Sequence, residues 1–351
     1  IYRISWIDPF SEGGINMPNI YTHVIFAQEL VNTTMTSKQK DMLENRSQLY
    51  EIGANGPDYL YFHGTTPKKV KEKSHVRTLG KYCHRRGIND FYHQALEVIR
   101  NEKEADVKQD EIAYIMGHLT HWALDSTTHP YIFWRTGSGD SASQFRHHRM
   151  ESLLDAIVLK IKKGKTIKDY KVYKVCEVDI DDVRAIARIY VNCAKKVYGV
   201  QAKPHEILQA LNEWAQIQKL LYDRKGKKLK AFQTIEETIK QSGLVSGMIV
   251  PNEPDDPCDV CNLLHKEWNH PCDADMVSTD SFLDLYDHAL KRAQKAIDLF
   301  LDAVDDSAKE EAFLSYLNNR NYTKGLPDNP PMVYFDPDCE RNGELMLKEQ
   351  K

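Results

Sequence analysis

His121 and Asp125 stand four residues apart, and so do His147 and Glu151. On an α-helix this spacing puts both side chains on one face, separated by about 40° of rotation. An imidazole and a carboxylate stacked in this way make a pair of zinc ligands. His129 follows Asp125 by four more residues, just before Pro130, where the helix is expected to end. One such pair alone would also suit a surface salt bridge. Both pairs, however, lie in apolar surroundings. Ile112 to Asp125 reads IAYIMGHLTHWALD, and the helix carrying His147 and Glu151 presents Met150, Leu153, Leu154, Ile157 and Val158 on its other face. Ionisable groups buried there cost several kcal/mol each unless paired or metal-bound. A multinuclear zinc site is therefore expected, in preference to a structural histidine network. His118 projects within about 20° of Asp125 and is left open between a further ligand, a donor behind the ligands and a core histidine. Asp155 extends the Glu151 stripe by a turn and is expected to orient a metal-bound imidazole.

The elements that must hold these residues are helical almost throughout. Apolar residues recur at three- and four-residue steps, as in Val183, Ile186, Ala187, Tyr190, Cys193, Ala194 and Val197. Helices are expected at 20–33, 37–49, 75–86, 88–103, 108–127, 142–162, 180–198, 204–222, 228–242, 279–302 and 306–319. Strand-type alternation is scarce. The 351 residues, 41% hydrophobic and 28% charged, are enough for a full core and exclude disordered and low-complexity classes. A net charge of −4 excludes a chain-wide polyanion-binding field. Seven lysines between Lys160 and Lys174, and five basic residues between Arg224 and Lys230, read as solvated helix ends, with lipid or polynucleotide contact as the sharper alternative.

The expected architecture is all-α, a single multi-helix domain over residues 17–320. Residues 1–16 are read as a leader or upstream remnant ahead of Met17-Pro18, and residues 321–351 as an irregular tail. No apolar run is long enough to span a membrane. An odd count of seven cysteines and the lack of an export signal point to a soluble, cytoplasmic protein with reduced thiols. Cys258 and Cys261, with Cys272, His265 and His270 nearby, suggest either loop thiols or a small structural zinc site.

Four segments carry a resemblance: PNIYTH ending at His23, Gly56-Pro57-Asp58, HWALDSTTHP from His121 to Pro130, and HHRME from His147 to Glu151. They resemble, in order, the zinc-dependent phospholipase C family, relatives of the zinc-dependent single-strand nucleases. Both are all-helical around three zinc ions. The resemblance implies one zinc on His129, His147 and Glu151. It implies a second on Asp58, His121, Asp125 and one histidine from His63, His75 and His84. His84 is favoured because Leu79 to Arg86 reads as a helix able to aim it inward. A third zinc would be held by His23, a bridging Asp125 and an N-terminal amine, supplied by Pro18 after loss of Met17. Two to three Zn2+ ions are thus expected.

Such a centre would hydrolyse phosphodiesters by metal-activated water attack on phosphorus. Asp58 would both bind zinc and assist proton transfer from the water. Tyr59, Tyr61 and Phe62 beside it would cage a quaternary ammonium head group, stack a nucleobase or simply pack the loop. A phospholipase C releasing a phosphorylated head group from a glycerophospholipid, with peripheral membrane contact, is the leading reading. A nuclease or nucleotidase, for which nucleic acid would be the partner, and a zinc-binding protein without turnover are the alternatives.

Overall fold

Helix α6, Ala105–Thr136, is the spine of the protein and carries three of the eight residues that converge on the site. The computed structural model describes residues 20–65, 73–239, 243–256 and 258–348. The leader segment 1–16 and Pro18 lie outside the described residues. Around α6 stand α1 (Ile20–Thr33), α2 (Ser37–Leu43), α3 (Ser47–Gly53), α4 (His75–Arg85), α5 (Ile88–Asn101), α7 (Ser141–Lys163), α8 (Ile180–Tyr198), α9 (Pro204–Leu221) and α10 (Lys227–Ile239). Further on come α11 (Phe282–Asp305), α12 (Glu310–Leu317) and α13 (Cys339–Lys348). A short antiparallel hairpin, β1 (Trp268–His270) with β2 (Asp273–Ser278), pairs Trp268 with Ser278 and Asn269 with Val277. Among the described residues the fold is all-α apart from this hairpin. Among the described residues no helix is long and apolar enough to cross a membrane.

Helix α6 packs directly on α1, α3, α7, α8 and α11, so it is apolar on nearly every side. Its approach to α3 is backbone to backbone. A Cβ on Gly117 would lie 2.0 Å from the Tyr50 carbonyl oxygen, and one on Gly53 would lie 2.3 Å from that of Tyr114. Only glycine permits that crossing.

Three expectations about the elements need correction. The helix expected at 37–49 is two helices. Thr36 caps α2 in a capping box with Gln39, and the chain breaks at Asn45, a residue whose side chain competes with helical backbone bonds. Pro130 does not end α6, which runs on to Thr136. Proline at this position removes the donor for the Ser126 carbonyl. Gly325 closes on that carbonyl so tightly that a Cβ there would lie 2.2 Å from it. Finally, the tail is not irregular throughout. Its helix α13 buries Met346 against α7, where the fully buried Arg149 donates from Nε to the Met346 carbonyl at 3.0 Å. Composition rich in Pro, Asn and Asp masked that short helix.

Candidate metal centre

Each side chain of the site is positioned by an identifiable local device. His23 lies in the first turn of α1, whose start is fixed by Asp155 of α7. The Asp155 carboxylate accepts from the Tyr21 N–H (3.1 Å), the Thr22 N–H (2.8 Å) and the Thr22 hydroxyl (2.5 Å). Those amides are among the donors a helix start leaves unpaired. Asp155 therefore anchors the helix that bears His23, and contrary to expectation it bonds to no imidazole among the described residues. Asp58 opens a 3-10 turn, Asp58–Phe62, behind Gly56. Gly56 has φ +51°, and a Cβ there would fall 2.2 Å from the His121 ring. Glycine thus supplies both the left-handed backbone and the room for that imidazole. His84 sits in the last turn of α4, His121, Asp125 and His129 lie on successive turns of α6, and His147 and Glu151 lie on α7.

These eight residues form three groups able to hold an ion: His23, His121 and Asp125; Asp58, His84 and His121; and His129, His147 and Glu151. In the first, Asp125 Oδ1 is 3.4 Å from His23 Nε2, Asp125 Oδ2 is 3.2 Å from His121 Nε2, and the two Nδ1 atoms are 3.2 Å apart. In the second, Asp58 Oδ1 is 2.8 Å from His84 Nε2 and Oδ2 is 3.6 Å from His121 Nε2. In the third, Glu151 Oε1 lies 3.1 Å from His147 Nε2 and 3.4 Å from His129 Nε2. Asp125 Oδ2 is also 3.5 Å from His129 Nδ1, which links the groups along α6. Of the three candidate histidines between residues 60 and 90, the structure brings only His84 to the cluster. His63 binds Ser74 and His75 binds Glu206.

Tautomers are set from behind. His84 Nδ1 donates to the Gly80 carbonyl at 2.8 Å and His129 Nδ1 to the Tyr322 carbonyl at 3.0 Å, so each presents Nε2 to the cluster. His121 Nε2, Asp58 Oδ2 and His147 Nδ1 are buried without a hydrogen-bond partner. Such groups are costly to leave unpaired. The nitrogen and oxygen donor set fits zinc.

Electrostatics agree with that fit. Burial drives the pKa of His23 down to about 3 and that of His84 to about 4, and it takes His121 well below its ordinary value. Burial also raises Asp125 to about 7 and lifts Asp58 well above the carboxylate range. The neutral imidazoles keep lone pairs for a metal. At the other end burial opposes charge on both His129 and Glu151, yet their charged neighbours win. Asp125, and then Glu151, raise His129 to about 9, while His147 and His129 hold Glu151 well below the usual carboxylate range. This pair carries charge until an ion displaces the proton.

A family profile described as zinc dependent phospholipase C matches residues 22–199, just over half of the chain. The chain belongs to this family. No curated protein and no solved structure gives a significant match. All eight converging residues lie in the span that the family profile covers, and family membership makes zinc the expected ion.

Other residues singled out in the sequence are placed elsewhere. His118 uses both ring nitrogens on phenols, Tyr92 at 2.9 Å and Tyr190 at 3.0 Å, and stacks on Phe91. It is a core histidine. Tyr59, Tyr61 and Phe62 are at most 2% exposed, so they form no open cage or stacking platform. Tyr59 packs on Tyr190 and Trp214, and Tyr61 lies 3.2 Å from His84 Nδ1. Burial of three large rings outweighs their use as a surface. Cys258, Cys261 and Cys272 are not gathered with His265 or His270 into a metal-binding group among the described residues. Tyr322, by contrast, was invisible in the sequence. Its N–H donates to the His84 carbonyl (3.0 Å), its carbonyl accepts from His129, and its ring packs on His84 and His121. No pattern marks one tyrosine in a tail rich in Pro and Asn. A cavity of about 30 Å³ bordered by Thr22, Thr128, Ile132, Leu154 and Phe282 reaches His23, Asp125, His129 and Glu151.

Proposed function

We propose that this protein is a zinc-dependent phosphodiester hydrolase that releases a phosphorylated head group from a glycerophospholipid. The observation that carries this reading is the convergence of His23, Asp58, His84, His121, Asp125, His129, His147 and Glu151 into three contiguous ligand groups within the family span. His129, His147 and Glu151 would hold one ion; Asp58, His84 and His121 a second; and His23 with Asp125 a third. Zinc bound there would polarise a phosphoryl oxygen and bring the pKa of a bound water close to neutral.

The chain's own residues would do the rest. Asp58, held through Oδ1 by His84, keeps Oδ2 unpartnered beside His121, placed to accept a proton from the attacking water. Asp125 ties two of the groups together along α6 and resists their separation. Gly80 and Tyr322 hold the imidazoles in the tautomers that present Nε2 inward. The apolar rim of Ile132, Leu154 and Phe282 excludes bulk water from the reacting groups.

The test combines zinc quantification with parallel hydrolysis of p-nitrophenyl phosphorylcholine and single-stranded DNA. Two to three zinc ions with turnover of the choline ester supports the reading. DNA cleavage alone would replace it with a nuclease, and stoichiometric zinc without turnover of either would make this a binding protein.

A further inference from the structure

Arg292 of α11 and Arg320, just beyond α12, lie near enough to repel each other beside Tyr316, with Arg292 on the far side of α6 from the histidine cluster. Arg292 Nη1 donates to the Thr127 hydroxyl at 2.5 Å and approaches that of Ser126 at 3.5 Å. Thr127 is two residues past Asp125, about 200° around the helix. Arg320 is held nearby by its backbone, whose carbonyl accepts from Trp122 Nε1 at 2.9 Å. Tyr316 closes the third side and donates to the Arg292 carbonyl at 3.4 Å.

The pair also lacks a counter-charge. Both side chains are part-buried, and Arg320 Nε is buried with no hydrogen-bond partner. Among the described residues, no carboxylate acts on either guanidinium. Burial lowers the pKa of both, Arg292 to about 10, Arg320 adds repulsion to Arg292, and Tyr316 is the other ionisable group that both feel. Burial also raises the Tyr316 phenol, so it is uncharged at neutral pH. Two desolvated like charges without an acid between them are unfavourable unless something supplies the charge.

We propose that Arg292 and Arg320, with the hydroxyl of Ser126, form a binding site for a phosphate-type dianion separate from the metal centre. A dianion balances both charges. Planar guanidinium forks give two parallel bonds to an oxyanion, and the Ser126 hydroxyl adds a donor, while Thr127, which gives its proton to the Ala123 carbonyl at 2.6 Å, holds the Arg292 guanidinium in place. The site is independent of the phosphodiesterase reading, because none of its residues belongs to the three ligand groups.

Thermal unfolding of the zinc-loaded protein tests this, with sodium chloride, inorganic phosphate and glycerol phosphate compared at equal ionic strength. Phosphate is expected to raise Tm by about 4 °C at a hundredfold excess over Kd. Arg292→Gln and Arg320→Gln should each abolish that rise while melting in chloride at or above the native temperature, since an unpaired charge is gone. Arg320→Lys, which keeps the charge but not the fork, should fold normally and weaken phosphate at least tenfold. A larger response to glycerol phosphate would identify an esterified ligand, and a larger response to phosphate the free ion. No rise above chloride in the native protein overturns the proposal. So does a rise that survives both glutamine substitutions.

Discussion

Asp125→Asn should change stability with opposite sign in the presence and absence of zinc. The amide keeps the shape of the carboxylate but removes the charge facing His23, His121 and His129. Structural zinc binding is worth about 10–16 kcal/mol shared among roughly four ligands, so one ligand accounts for about 3 kcal/mol, or at least a hundredfold in affinity. At fixed free zinc that loss passes into folding stability. An unfolding entropy of about 2.1 cal/mol/K per residue gives roughly 0.7 kcal/mol/K for this chain, so Tm should fall by about 4 °C. Without zinc the sign reverses. Asp125 has a folded pKa of about 7 against an ordinary 3.8. Its contribution is therefore full below the unfolded value and lost as pH rises through 7, leaving an ionised carboxyl poorly accommodated at pH 8. Removing it should stabilise the chelated protein by on the order of 2 kcal/mol, about 3 °C. Differential scanning fluorimetry at pH 8 in zinc buffer and in EDTA, with elemental analysis, measures both arms. If the variant melts lower in both, or keeps its zinc and its zinc-dependent Tm, Asp125 is not a ligand.

Other expectations are equally direct. Zinc uptake at pH 7 should release at least about one proton, because His129, raised to about 9, must lose its proton to bind; calorimetry showing no dependence on buffer ionisation enthalpy would refute this. His118 is depressed to about 3 by burial, so its stabilisation is complete above its unfolded value of 6.5 and is lost as pH falls towards 3. Between pH 7 and 5 the native protein should lose about 2 kcal/mol relative to His118→Gln in urea titrations, whereas a constant difference would mean that the imidazole does not stay neutral. Gly117→Ala should cost on the order of 3 kcal/mol by forcing α3 and α6 apart, and an unchanged denaturation midpoint would contradict the crossing described. Asp155→Ala should cost part of the zinc content by releasing the start of α1 and His23, while His147 and Glu151 remain in place; full retention of zinc would leave Asp155 with no positioning role.

The legible part of the site was the part encoded locally. His121, Asp125 and His129 repeat with the period of one helix, as do His147 and Glu151, and a period is readable without knowing what packs beside it. His23, Asp58 and His84 come from three other segments, and only the resemblance joined them to the set. Asp155 is visible in the sequence as a carboxylate on the Glu151 face, but spacing does not show that the start of α1 lies opposite it. Proline at position 130 argues for a helix end on local grounds, and a tertiary contact from Gly325 overrides it. The aromatic run Tyr59 to Phe62 has the composition of a binding cage, and only the packing of α8 and α9 reveals that it is core.

Tyr322 has a consequence for when the centre can be finished. Its backbone bridges the His84 carbonyl and the His129 ring, two points that lie more than 190 residues upstream of it in synthesis. While the chain is still emerging from a ribosome, all eight histidines and acids of the cluster are already out, yet the hydrogen bond that orients His129 does not exist. Until that tyrosine arrives, an early-bound ion would meet an imidazole with an unset tautomer. Final loading of the His129 group is thereby deferred until synthesis has passed Tyr322.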